Sequence, residues 1–116
     1  MANTIPYRAT GSLATPLHKA FIREMLLAQD PRGDIANCKA IEKATPPDYK
    51  RVKCPVLVIA GEEDKSAPLE GCKFILGELA TEKKQLEVLK GVGHWHCVEA
   101  ADKVADLVGS FCDGLV

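Results

Sequence analysis

The run "PVLVIAG" at residues 55–61 constrains this chain more than any other stretch. A continuous β-branched and apolar segment bounded by Pro and Gly is the pattern of a parallel strand covered on both faces. Such a strand needs helices around it, and the downstream sequence provides them. A helix follows, with Pro68 in its first turn, Ile75, Leu76 and Leu79 on its buried side and Cys72 one turn earlier. "QLEVLKG" at 85–91 reads as the next strand, and from about Val98 a final helix turns Val104, Leu107, Val108 and Phe111 inward. The order β-α-β-α over residues 54–116 implies two parallel strands joined by a right-handed crossover. The fold class is therefore α/β.

Upstream the pattern is helical. Residues 1–14 have no apolar period and read as an extended arm unless something holds them down. Thr15 is an N-cap with Pro16 at the first helical position, and Leu17, Ala20, Phe21, Met25 and Ala28 recur at helical spacing. "DPRG" ends that helix, and Asp34 caps a second in which Ile35, Cys38 and Ile41 share a face, closed by the prolines at 46 and 47. Residues 15–47 are thus expected to form an antiparallel helical pair. With 116 residues, 47% of them hydrophobic and 27% charged, the chain can bury one modest core, so these segments belong to one compact domain.

Composition excludes several classes of partner. The net charge is -1 and the basic residues are scattered, which argues against nucleic acid and anionic lipid. No apolar run approaches the ~20 residues of a membrane span, and the first residues lack the charged and apolar regions of a secretory signal. The default expectation is a cytoplasmic protein. Five cysteines, odd in number and without C-x-x-C spacing, argue against a disulfide framework or a zinc ribbon. They read as reduced thiols filling packed positions.

Chemistry is expected at the loops that leave the carboxyl ends of parallel strands. "GEEDKSAP" leaves the first strand and "GVGHWHCVE" the second, which places Asp64 and His94 on neighbouring strand ends. A lone Asp there is most often a cap and a lone His a packed or surface residue. Together they suit a carboxylate holding an imidazole in one tautomer and stabilising its protonated form. The run His94, His96, Cys97 and Glu99 also offers metal-ligand types, but Cys97 reads as packing and Glu99 as a cap or dipole partner of the last helix, so no metal site is assigned. No cofactor is implied.

The block "CPVLVIAGEEDKSAP" together with "LEVLKGVGHWHCVEAADKVADLVGSF" resembles the carboxyl-terminal part of the α/β-hydrolase fold, with Asp64 matching the triad acid and His94 the triad base. "FIREMLLAQDPRGDIANCKAI" resembles the cap-helix segment of enzymes similar to 3-oxoadipate enol-lactonase, fungal ones especially, although Asp34 stands where an aromatic is expected. The resemblance implies a truncated fold. Its nucleophile elbow, G-x-S-x-G, precedes the cap in chain order, and no such motif occurs in this sequence. Ser12, Ser66 and Ser110 are the only serines, and none is expected on a strained strand-to-helix turn.

Three functional readings stay open. The first is a protein of ester or lactone hydrolase ancestry that retains acid and base but lacks nucleophile and oxyanion hole. The second is a stand-alone acid/base enzyme of isomerase, dehydratase or cyclase type that uses Asp64 and His94. The third is a non-catalytic binding or regulatory module. For a small-molecule substrate, Phe21, Met25, Leu26 and Trp95 are the candidate contacts, and the first three serve a core equally well. Two strands leave an apolar edge on the first, so a homodimer is expected to complete the sheet.

Overall fold

The structure, a computed structural model, describes residues 1–115; Val116, the last residue of the 54–116 unit, lies outside the described residues. In order the elements are α1 (Ile5–Arg8), α2 (Pro16–Leu27), α3 (Pro31–Lys43), a 3-10 turn at Tyr49–Arg51, β1 (Val56–Gly61), α4 (Leu69–Glu78), β2 (Lys84–Leu89), α5 (His96–Glu99) and α6 (Ala101–Asp113). β1 and β2 pair in parallel, with Val56 opposite Lys84 and Gly61 opposite Leu89. Both α4 and α6 pack on this sheet. The chain is α/β, as the alternation of strand and helix patterns implies.

Helix starts follow a common logic. The Thr15 side chain accepts from the His18 amide at 3.2 Å and Pro16 opens α2. Asp30 repeats this arrangement: its carboxylate accepts from the Arg32 amide at 2.9 Å, and Pro31 takes the first turn of α3. "DPRG" therefore starts a helix instead of stopping one, and Asp34 sits in the first turn of α3, not at its cap. An Asp followed by Pro satisfies an orphan amide and presets φ in one step, which outweighs the Gly two residues on.

The expected helical pair does not pack as a pair. α2 lies against α1 and α5, while α3 has no buried residue, and Ile35 and Ile41 are exposed. On α2 the buried stripe is Ile22, fully covered, with Leu26 half-buried one turn on. The Leu17, Phe21 and Met25 stripe faces outward. Both stripes have i, i+4 spacing, and only the tertiary neighbours decide which one goes inside. Four of the five free cysteines are exposed and Cys72 is half-buried, so they are not core fillers. The last helix is broken at Ala100, whose φ of -141° and ψ of 47° separate α5 from α6.

Residues 1–14 are not an extended arm. Ile5–Arg8 form a helical turn with Pro6 buried, and the backbone that follows crosses the loop after β2. Leu13 N–H donates to Gly91 O at 3.0 Å and His94 N–H to Ala9 O at 2.7 Å. Local periodicity cannot announce this, because the donors and acceptors that hold the segment lie some eighty residues downstream. A Cβ on Gly93 would stand 2.5 Å from Gly11 N, so the two backbones touch. Most of the best-buried residues, Ile22, Ala60, Leu89 and Val92, gather toward the carboxyl ends of the strands; Leu79 is buried at the opposite end, where α4 leads into β2, and Val56 to Ile59 are only half-buried. Among the described residues no helix is long and apolar enough to cross a membrane.

Candidate active site

Three consecutive carboxylates follow β1, and each closes a different gap. Glu62 accepts from the Gly91 amide at 3.0 Å. Glu63 takes both the amide of Ser12, at 2.8 Å, and its hydroxyl, at 2.6 Å. Asp64 accepts at one oxygen from the amides of Ser66 and Ala67, at 2.8 and 2.9 Å, and its other oxygen lies 2.9 Å from His94 Nδ1. Glu62 and Glu63 thus bind the two strand-end loops and the amino-terminal segment together, and Asp64 is left to hold the imidazole. The first two roles have a sequence signal, an acidic run in a βα loop opposite glycine amides, that a reading of Asp64 alone passes over.

The Asp64 side chain is 5% exposed and that of His94 46%. Burial pushes the Asp64 carboxyl up, but the Ala67 amide, the His94 ring, the Ser66 amide and the imidazolium charge together outweigh it and leave the group below its ordinary value. Asp64 is therefore a carboxylate at neutral pH and can only accept. Its partner nitrogen must carry the proton: Nδ1–H donates to Asp64, and Nε2 is the basic edge of the ring. Exposed Glu63 is also held below its ordinary value, by the Ser12 hydroxyl first and then the Ser12 amide.

A depressed carboxyl has a definite sign in acid. The stabilisation it brings is fully present above the unfolded value of about 3.9 and is lost as pH falls through the lower folded value. The Asp64 carboxyl carbon should therefore titrate with a midpoint below about 3.9 in a carbon-detected NMR experiment. The stability difference between the wild type and Asp64→Asn should shrink through that midpoint. A midpoint above the ordinary range would contradict the geometry.

His94 opens on a cleft of about 710 Å³ whose wall includes Ile5, Arg8, Leu26, Lys65, Ser66 and Trp95. Of the four candidate substrate contacts, the structure brings Leu26 and Trp95 to this cleft. Phe21 and Met25 lie elsewhere, on the outward stripe of α2, which runs beside the buried one. The amino-terminal wall, Ile5 and Arg8 among it, is invisible to a reading that takes residues 1–14 as an arm. Among the described residues no three His, Cys, Asp or Glu side chains converge as metal ligands would. Glu99 is 7% exposed and engaged by backbone amides, and Cys97 faces out. Nδ1 of His96 and Nε1 of Trp95 are buried without a hydrogen-bond partner among the described residues.

No family model matches this sequence, and no curated protein matches it. Solved structures do. The enol-lactonase from Burkholderia xenovorans LB400 superposes with a TM-score of 0.83 at 26% identity, over 97% of this chain and 44% of that one. A thermophilic esterase from Thermogutta terrifontis gives 0.79 at 23% identity, over 97% of this chain and 43% of its own. CarC, a serine hydrolase involved in carbazole degradation, gives 0.78 at 18%, over 97% and 46%. The chain spans less than half the length of each of these hydrolases. Its helices, parallel strand pair and strand-end loops have the α/β-hydrolase fold over the part that it spans.

Proposed function

We propose that these 116 residues carry the acid and base of an ester- or lactone-hydrolase site whose nucleophile and oxyanion donors lie outside them. The 2.9 Å contact between His94 Nδ1 and the carboxylate of Asp64 is the observation that carries this reading. In it Asp64 fixes the tautomer, His94 Nε2 takes the proton of an incoming serine hydroxyl, and the resulting imidazolium is stabilised by the buried carboxylate. His94 then returns the proton to the leaving oxygen. The cleft beside His94, with Leu26 and Trp95 in its wall, would receive the acyl or lactone ring. Likeness to the Burkholderia enol-lactonase supports a lactone or ester as substrate class. The finer likeness, to fungal members of that group, rests on the α2–α3 sequence.

Labelling and turnover test the reading together. The 116-residue chain should keep its mass after treatment with a fluorophosphonate, and should hydrolyse p-nitrophenyl acetate no faster than the same concentration of imidazole. Joined to a hydrolase segment that carries G-x-S-x-G, it should gain hydrolysis that His94→Ala abolishes and His96→Ala leaves alone. Stoichiometric labelling of Ser12, Ser66 or Ser110 in the isolated chain would overturn the proposal.

Among the described residues the half-buried apolar β1 has a strand partner on one side only, which supports a second proposal, about assembly: a second copy of the chain covers that edge. Sedimentation should then show two chains per particle, and a stable monomer at micromolar concentration would sink the idea.

A further inference from the structure

One buried carboxylate has no part in the proton transfers above. Glu99, at the end of α5, is 7% exposed, yet among the described residues its oxygens meet three backbone amides and no cation. Oε2 accepts from Gly11 at 2.7 Å and from Gly93 at 3.0 Å, and Oε1 accepts from Trp95 at 3.0 Å. Gly93 and Trp95 are the residues on either side of His94, whose own amide donates to Ala9 O at 2.7 Å. Three successive amides of the base-bearing loop are thus each spoken for: the outer two by Glu99, the middle one by the segment that Glu99 also holds through Gly11. Burying a carboxylate is costly unless charge-assisted hydrogen bonds compensate, and three amide donors are what such a group requires.

The geometry points to Glu99 as the positioning residue of His94: it fixes the backbone on both sides of the base and pins the amino-terminal wall of the cleft to the same point. A ring that must keep Nδ1 at 2.9 Å from Asp64 and Nε2 toward the cleft has two χ angles of its own. Its Cα and the peptide planes on either side must come from elsewhere, because Gly93, directly before it, has no side chain to pack and the buried Val92 anchors the loop only one residue further back. Glu99 substitutes for that packing. This inference rests on the reading of His94 as a base, but it concerns where the ring is held, so its test is structural and spectroscopic and does not depend on turnover.

The test uses the full chain labelled with ¹⁵N. In the wild type, the amide protons of Gly11, Gly93 and Trp95 should show the downfield shifts and slow exchange of charge-assisted hydrogen bonds, and the His94 ring should show a single neutral tautomer with hydrogen on Nδ1. Glu99→Ala should speed hydrogen exchange at those three amides by about tenfold or more while β1 and β2 amides keep their protection, and should turn the His94 ring signals into a tautomer mixture. Glu99→Gln, whose one oxygen can keep the Gly11 and Gly93 bonds but which turns its NH2 toward the Trp95 amide, should restore part of the single-tautomer signal and leave the Trp95 amide alone in fast exchange. Should Glu99→Ala fail to fold, the wild-type amide exchange and the Gln variant still decide. Wild-type amides at Gly11, Gly93 and Trp95 that exchange as fast as exposed loop amides overturn the inference, and so does a Glu99→Ala ring spectrum identical to that of the wild type. A tautomer mixture already present in the wild type overturns the base reading instead, and the two failures are thereby distinct.

Discussion

Asp64→Asn should lower turnover of the assembled site by about 10⁴ while leaving the fold intact. The two halves of this expectation come from the two oxygens of Asp64. Oδ1 accepts the Ser66 and Ala67 amides, and the side-chain oxygen of an asparagine can keep both bonds, so the loop into α4 stays in place. Oδ2 accepts from His94 Nδ1, and there the amide nitrogen would present hydrogens instead of a lone pair. The ring then offers Nδ1 as an acceptor to the new carboxamide and carries its proton on Nε2, where it cannot receive one from a serine. Long-range ¹H–¹⁵N correlations of the ring should show this exchange of tautomers directly, in the isolated chain and without any substrate. An unchanged ring spectrum would remove Asp64 from the proposed mechanism.

Gly93→Ala should cost at least the upper end of the about 1–3 kcal/mol typical of overpacking, measured by urea denaturation. Its added methyl would meet Gly11 N at 2.5 Å, Thr10 C at 2.6 Å and Ala9 O at 2.7 Å, all of them backbone atoms that no rotamer change can move aside. Relief requires lifting residues 9–11 off the loop. That breaks the His94-to-Ala9 and Gly11-to-Glu99 bonds as well, so hydrogen exchange should become fast at 9–13 while the strand amides stay protected. Gly71→Ala is the matched control. Nothing lies within 4 Å of the added methyl, the site is inside α4, and stability should rise by about 0.5–1 kcal/mol.

The parts of the molecule legible in its sequence are those whose cause is local. The apolar run of β1, the parallel alternation with α4 and β2, and the Thr15–Pro16 start of α2 need only their own neighbours to be read. Asp64 and His94 can be placed side by side because parallel strands carry successive loops to the same edge. What escapes depends on partners remote in sequence. The amino-terminal segment looks structureless because its hydrogen bonds go to Gly91, Glu63 and Glu99. α2 offers two stripes of equal spacing, and the choice of Ile22 over Phe21 belongs to α1 and α5. Glu99 reads as a helix-end charge, which its bond to Trp95 N fits; its bond to Gly93, six residues back, depends on the turn of the loop, and its bond to Gly11, 88 residues back, has no signature in a window of any practical width.

The bond from Gly11 to Glu99 spans 88 residues, and that span bears on how the molecule assembles in time. Helices α2 and α3 take their caps from residues directly before them, and β1 has its mate about thirty residues on. Residues 9–13 have no such nearby mate, because their partners Gly91, Gly93 and Glu99 follow some eighty residues later. Closing a loop of this size is entropically expensive and slow relative to local contacts, so it follows the formation of the sheet. The wall of the cleft, the backbone around His94 and the burial of Glu99 would then arrive in one late event. A nascent or partly unfolded chain can hold both its strands and still have no site.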